Sequence, residues 1–182
     1  MAIADVADDG RLEVASCIMP ATTTVRRREG DLLKIDLGDD RHSYAQVAAE
    51  PLIVFFDGSF THDLPPDQIA SLPVLFRIWV ANHAIKRGRW AVAGRAVLTL
   101  EDRKEPFFYK QDVITGRLTL YHSSFAQTNW ERAATLAECG GLENAAVWEP
   151  EHVEDRLRDH YAGKRNKWLD SLQIDPTTIP KG

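Results

Sequence analysis

Residues 28–58 constrain the fold more than any other part of the chain. Apolar and polar residues alternate over residues 33–37, which is the period of a strand with one buried face and one wet face. Gly38–Asp40 supplies a turn, because Gly accepts positive φ and Asp can bond its own backbone. Alternation over residues 43–47 predicts an antiparallel return strand. Five successive apolar residues, Leu52–Phe56, then predict a third strand that is covered on both faces, so the nucleus of the fold is a three-stranded meander.

Short strands continue after the meander. The sequence predicts strands over Val74–Val80 and Trp90–Leu100, with Gly94 marking a bulge in the second one. A hairpin follows over Pro106–Val113 and Arg117–His122, joined by a tight turn that contains glycine. These connections are short, and the predicted sheet is therefore mainly antiparallel.

The C-terminal part of the chain carries helical signals instead. Thr128 and Glu131 match a capping box, which predicts a helix from Asn129 to about Cys139. Pro150 lies at the first turn of a further helix, which Gly163 ends. Together the elements predict an α+β fold: a mainly antiparallel, strongly twisted sheet with C-terminal helices. A partly open SH3-like barrel is one arrangement that satisfies this prediction.

The size and charge of the chain set its domain organisation and exclude some classes of protein. The 182 residues predict one domain over residues 25–172, with a loose arm at residues 1–24 and a tail at residues 173–182. The start resembles no signal peptide, and no apolar run approaches the roughly 20 residues of a spanning helix. Two distant cysteines, Cys17 and Cys139, make no disulfide framework. We therefore expect a cytoplasmic protein without a membrane partner.

Two histidines on the predicted C-terminal helix raise the question of a metal site. His152 and His160 could hold zinc together with Glu149 or Asp155. However, their spacing is eight residues, and neither an H-x-x-x-H nor a C-x-x-C pattern occurs. Histidines on the polar face of a charged helix are more often solvated, so we expect no metal and no cofactor.

A polar loop after the most buried strand is the second candidate for chemistry. Asp57, His62 and Asp63 lie there, and a His–Asp pair can transfer protons. The alternative interpretation is a loop whose aspartates form turns, and we favour it. The chain has no G-x-S-x-G elbow, P-loop or G-x-G-x-x-G pattern, so serine hydrolysis and nucleotide binding have no local support.

Charge placement is more informative than any catalytic pattern. The formal net charge is −5, which disfavours nucleic acid as a partner, because phosphate binding needs an excess of Lys and Arg. No Lys or Arg occurs between Arg41 and Arg77, or between Arg132 and Arg156. Such acidic segments steer a basic protein partner or simply keep the protein soluble. The residues predicted to face a partner are Asp57, Asp63, Asp67, Glu143, Glu149, Glu151 and Asp155.

Several short motifs resemble those of the immunity protein 26 family. Residues 29–37 (EGDLLKIDL), followed by Tyr44 and Val47, resemble the opening of that family. Weaker matches continue in the same order to residue 161, among them the KRGRW turn at residues 86–90. The motif residues that the resemblance assigns to the scaffold are Gly30, Asp31, Trp79, Gly88, Trp90, Gly94, Trp148 and Arg156.

The resemblance implies two functions of different classes. An immunity protein would bind and occlude a cognate polymorphic toxin, for example a nuclease, in a bacterial toxin–antitoxin system. The family is also linked to a phosphotriesterase, the organophosphate hydrolase HocA, which would need a metal-held hydroxide or an activated nucleophile. The residues available for that alternative are His62, Asp63, His152 and His160. Their scattered spacing favours the immunity protein, which needs no catalytic residue.

Overall fold

The computed structural model describes residues 26–122 and 130–180. Within them, one sheet contains the strands β1 (Asp31–Gly38), β2 (Arg41–Val47), β3 (Leu52–Phe56), β4 (Val74–Val80), β5 (Ala91–Arg95) and β10 (Val147–Trp148). A second sheet contains β6 (Phe108–Gln111), β7 (Leu118–His122), β8 (Trp130–Ala133) and β9 (Glu143–Asn144). The helices are α1 (Pro66–Ala70), α2 (His83–Lys86), α3 (Leu136–Cys139), α4 (Pro150–Tyr161) and α5 (Lys167–Ser171).

The α+β class and the mainly antiparallel pairing are confirmed. The spatial orders are β10-β4-β3-β2-β1-β5 in the first sheet and β8-β7-β6-β9 in the second. Only two pairings in the described parts of the chain are parallel, β10 with β4 and β6 with β9. The SH3-like barrel is not confirmed, since these strands form two sheets. None of the helices described is long and apolar enough to cross a membrane.

The predicted meander forms the centre of the first sheet. Strands β1, β2 and β3 lie side by side and antiparallel. Asp39 and Asp40 form the first turn with φ of 51° and 55°, a conformation that Asp tolerates better than most residues do. The bulge predicted at Gly94 is also confirmed, because Leu32 pairs with Gly94 whereas Leu33 pairs with Val92.

Both faces of the first sheet are covered. On one face, Val153 and Leu157 of α4 join a buried cluster with Ile35. On the opposite face, Val54 packs in a cluster with Phe108 of the second sheet. Successive side chains of a strand point to opposite faces, so a strand between two layers is apolar throughout. All five residues of β3 are buried for this reason, as the sequence predicts.

The predicted helix over residues 129–139 is wrong for most of its length. Trp130–Ala133 is the strand β8, which pairs with β7, and only the four residues of α3 are helical. The capping box lies further along, because the Thr135 side chain accepts from the Glu138 amide while Glu138 bonds back to Thr135. The strand pairing decides the conformation here, since a single local capping signal is weak beside tertiary contacts.

One of the remaining boundary predictions is wrong and another is confirmed. The predicted strand from Trp90 ends at Arg95, before Leu100, whereas the helix from Pro150 ends as predicted before Gly163. Residues 1–24, the predicted arm, lie outside the residues that the structure describes, and so does Thr128. Ile174 and Ile179 from the predicted tail pack against a small third cluster on the second sheet.

A buried carboxylate fixes α4 to the first sheet. The Glu154 side chain is only 9% exposed, and it accepts two bonds from the Arg89 guanidinium, at 2.6 and 2.7 Å. Its Oε1 also accepts from the Trp90 indole N–H at 2.9 Å. Hydrogen bonds to a buried charge are strong, and without them the Glu154 carboxylate and the Trp90 indole N–H would be buried unpaired. This network sets the position of α4 along the sheet.

We expect Glu154→Ala to lower the free energy of unfolding by about 2–4 kcal/mol, because it leaves the Trp90 donor and part of Arg89 without partners. Glu151→Ala is the matched control, since Glu151 binds the same arginine from the same helix but is 52% exposed. The control should cost less than about 1 kcal/mol. Urea unfolding of both variants measures the difference, and equal losses would contradict this role for Glu154.

Candidate interaction surface

The loop after β3 carries the first group of predicted partner residues. Asp63 is 73% exposed, and its carboxylate accepts a hydrogen bond from the Lys34 ammonium, which lowers the pKa of Asp63. Asp57 lies 3.6 Å from the Nε2 atom of His160 at the end of α4. Asp67 is exposed in the first turn of α1. The structure therefore places all three carboxylates at the surface of one loop region.

The second group lies at the start of α4. Glu149 is 3.3 Å from His83, and Glu151 is 2.6 Å from Arg89. The ligand atoms of His83, Glu149 and Glu151 lie within 4.8 Å of one another, the only such set of three or more among the described residues. His83 is not among the residues that the sequence predicts for a metal site. A cation at this place would have to displace Arg89 from Glu151.

Two of the predicted partner residues, Glu143 and Asp155, form hydrogen bonds that connect elements of the fold. Both oxygens of Glu143 bind the Arg156 guanidinium, at 3.0 and 2.6 Å. Asp155 accepts from the Trp168 indole at 2.9 Å and from Arg158 at 2.8 Å, and these bonds lower the pKa of Asp155. These carboxylates connect α4 to β9 and to α5.

Cations from other segments therefore compensate the acidic stretches. No Lys or Arg lies within either acidic stretch, but folding brings Lys34, Arg89 and Arg156 beside carboxylates of these stretches. The cavity of about 480 Å³ between the β1–β2 turn and α4 shows the same balance. Its charged lining consists of Asp39, Arg41, Asp155, Arg158, Asp159 and Lys164. The surface there is mixed in sign instead of uniformly negative.

The residues proposed for a hydrolase do not form one site. His152 stacks on Trp168 with the ring centres 3.5 Å apart, whereas His160 faces Asp57. His62 packs against Phe60. In the described parts of the chain, no set of three clustered metal-ligating side chains includes any of these histidines.

The glycines assigned to the scaffold lie where the backbone has positive φ or where a side chain would collide with a neighbour. Gly30 has φ of +87°, and a Cβ there would lie 2.7 Å from the Ala96 carbonyl oxygen. Gly88 has φ of +69° and follows the last turn of α2. A Cβ on Gly94 would lie 2.8 Å from Pro66. These positions are set by chain geometry and close packing.

The other scaffold residues are buried in the layers around the first sheet. Asp31 accepts from Arg95 at 2.8 Å and from the Arg28 amide at 2.9 Å. Arg156 lies 3.8 Å above the ring of Phe76, in addition to its bonds to Glu143. Trp79, Trp90 and Trp148 are buried, Trp79 on the face toward the second sheet and the other two on the face toward α4.

One comparison with known proteins identifies a family. The sequence model of a family described as immunity protein 26 matches residues 28–119 of the 182, which is half of the chain. The chain belongs to the immunity protein 26 family. The match extends from the residues before β1 into β7, so α4 lies beyond it. It gives no support to the phosphotriesterase alternative. A search of the curated proteins and a search of the solved structures found no match.

This member of the family also carries a surface feature that sequence reasoning missed. Phe107 directly before β6, His122 in β7 and Trp130 in β8 lie side by side on the second sheet, and we call them the aromatic row. The ring centres of Phe107 are 4.9 Å from His122 and 5.9 Å from Trp130. Alternation along the hairpin places Phe107 and His122 on one face. The incorrect helix over residues 129–139 concealed the third member.

A buried carboxyl group lies next to the aromatic row. Glu105 Oε1 accepts from the Trp79 indole at 3.2 Å, while Oε2 is buried without a hydrogen-bond partner among the described residues. The Glu105 carbonyl oxygen lies 3.1 Å from His122 Nε2. Burial raises the pKa of Glu105 from its ordinary value of 4.5 to about 7, and the Trp79 bond only partly opposes this shift.

We predict that Glu105 makes the protein less stable as the pH rises from about 4.5 to 7. The unfolded chain loses the Glu105 proton first in this range, whereas the folded chain keeps it. Glu105→Gln should remove this loss, so the variant gains stability relative to the wild type between pH 4.5 and 8. Denaturant unfolding at several pH values measures the difference.

The matched control for Glu105 is Glu101→Gln. Glu101 is exposed, and a hydrogen bond from Lys104 lowers its pKa. Its replacement should leave the loss of stability between pH 4.5 and 7 in place. If the Glu105→Gln protein loses as much stability as the wild type between pH 4.5 and 7, Glu105 is not the group responsible for the loss.

Proposed function

We propose that this chain is an immunity protein that binds a cognate polymorphic toxin directly and neutralises it by occlusion, without cofactor or turnover. The observation that carries the proposal is the family match over residues 28–119. The geometry is consistent with it, because the most buried charged side chains, such as Glu154 and Arg156, are occupied by partners within the scaffold. A nuclease is the toxin class that we favour, because a nuclease presents a basic surface to its substrate.

The exposed carboxylates support the part of the proposal that concerns a basic partner. Asp63 and Glu151 each form a solvent-exposed ion pair, and such pairs contribute little to stability. A toxin arginine or lysine can therefore replace the internal cation at small cost. Asp57, Asp67, Glu149 and Asp155 add negative charge along the same two segments. We assign Glu143 a supporting role at their border, since it holds Arg156.

The proposal also includes a location and excludes other partners. We expect the protein to act in the bacterial cytoplasm, in keeping with Cys139, which is buried as a free thiol. Neither nucleic acid nor a membrane is a partner in this proposal, because the formal net charge of −5 opposes binding to phosphate groups.

Co-expression with the protein encoded immediately upstream tests the function. We expect this chain to restore growth to cells that produce that protein, and the two proteins to co-purify in a fixed ratio. Glu154→Ala, which loosens the scaffold, should protect less well at equal expression than Glu101→Ala, which removes an exposed carboxylate outside the two acidic segments. Failure of the wild-type chain both to restore growth and to co-purify would contradict the proposal.

Charge reversal tests the acidic loop. Asp63→Lys combined with Asp67→Lys should slow association with the toxin by about 10-fold at low salt and weaken the salt dependence, because steering depends on these charges. Glu29→Lys with Glu101→Lys is the control, since it changes the net charge equally outside the two acidic segments. Stopped-flow measurements give the rates, and equal slowing by both double variants would show that only net charge matters.

A further inference from the structure

The aromatic row is unusual because its rings remain at the surface. The side chain of Phe107 is 47% exposed and that of Trp130 is 44% exposed. Tyr109 and Leu120, the next residues on the same face of the sheet, are buried in the third cluster with Ile174. Within residues 26–122 and 130–180, the row is thus the uncovered end of an otherwise covered face. Contiguous exposed aromatic groups mark interaction sites more often than single ones do.

The apolar surface continues from the row toward the first sheet. Phe107 also lines a groove of about 240 Å³, together with Val74 and Pro106. Val74 at the start of β4 is exposed as well. A partner at the row can therefore bury apolar area on both sides of Phe107, which suits a central hot spot.

The outer edge of β8 can pair with another strand. Among the described residues, β8 pairs only with β7, in a regular antiparallel register. The Ala134 N–H donates to the Leu118 carbonyl, so these two residues form a hydrogen-bonded pair. Hydrogen-bonded and non-hydrogen-bonded pairs alternate along antiparallel strands, and the N–H and C=O groups of Ala133 and Glu131 therefore point away from β7. All four residues of β8 are exposed. An extended peptide can therefore add to this edge and form backbone hydrogen bonds.

The other outer strands of the two sheets are less suitable. Strands β9 and β10 have only two residues each. Pro66 of α1 lies close to Gly94 of β5. In the described part of the chain, β8 alone combines a four-residue edge with exposed aromatic side chains.

The charges around β8 favour a different protein over a second copy of this chain. Glu131 binds Lys110, and Arg132 binds Glu138 at 2.7 Å, so the edge is locally neutral. The two registers that pair the most residues of two β8 strands about a twofold axis perpendicular to the sheet place either Glu131 or Arg132 opposite its own copy. Like charges directly opposite each other are destabilising.

We propose that the toxin supplies an extended segment that adds to the edge of β8 and places apolar side chains on the aromatic row. The inference rests on the proposed function, and it deepens that function by naming the anchor and the kind of partner segment. Apolar residues at every second position of the segment meet Trp130, while its backbone pairs with Glu131 and Ala133. Phe107 lies two strands further in and contacts Trp130, so it meets the part of the toxin that lies over the row. The acidic segments act at longer range, by steering the encounter.

Single substitutions test the anchor, with the purified protein encoded immediately upstream as the probe. Phe107→Ala and Trp130→Ala should each raise Kd at least about 30-fold, the size expected for aromatic hot spots. Val113→Ala and Ile114→Ala are the controls, because these two residues are the most exposed large apolar side chains described and lie in the β6–β7 turn. We expect each control to change Kd less than about 3-fold, as most contacts outside a hot spot do. Titration calorimetry measures all four variants.

Hydrogen exchange tests the strand pairing in the unmodified complex, without any risk of misfolding. The amides of Glu131 and Ala133 should gain protection on binding, whereas those of β5 should not. Ala133→Pro removes an outward N–H without removing a bond to β7, and it should weaken binding by a similar factor to Trp130→Ala.

The outcomes separate the two proposals. If the wild-type chain does not bind the upstream protein, the proposed function fails and this inference fails with it. If the wild type binds but the aromatic variants bind equally well and β8 gains no protection, only the inference is overturned. A homodimer that Trp130→Ala dissociates would assign the row to a second copy and would also overturn it.

Discussion

The central constraint on this fold is a strand that is apolar on both faces. Leu52–Phe56 exposes almost nothing to solvent, so the chain must supply a layer on each side of the first sheet. Helix α4 covers one face, and the second sheet covers the other. Burying each large apolar side chain contributes roughly 1.5–3 kcal/mol, so neither layer can be absent. The immunity protein 26 match ends inside β7, and the helix that completes the core follows it.

Buried charge pairs give this apolar arrangement its specific geometry. Hydrophobic burial alone tolerates a shift of α4 along the sheet, because it has no direction. Glu154 can meet both Arg89 and Trp90 in only one position of the helix. Arg156 adds a second fixed point through Glu143 and the ring of Phe76. The polar groups of the interior are thus used to orient layers and leave recognition to the surface, which agrees with the inhibition by occlusion that we propose.

The sequence predicts local structure well where one pattern dominates. The meander, β4 and the helix from Pro150 follow from alternation, apolar runs and proline or glycine at the boundaries. Residues 130–133 are misassigned because their state depends on pairing with β7, and no local pattern reports that pairing. The compensation of the acidic segments is equally non-local, since Lys34 and Arg89 are far from Asp63 and Glu151 in sequence. The aromatic row requires three correct strand registers, and one wrong element was enough to hide it.

A short crossing between the sheets has a mechanical consequence. Glu143–Asn144 pairs with β6 in the second sheet, and Val147–Trp148 pairs with β4 in the first, with only two alanines between them. Sliding one sheet over the other would have to break one of these pairings. Shear between the layers is therefore suppressed, and the surface offered to a toxin keeps its shape during the encounter. Such a stiff receptor gives up little conformational freedom when a complex forms, so more of the contact energy remains available as affinity.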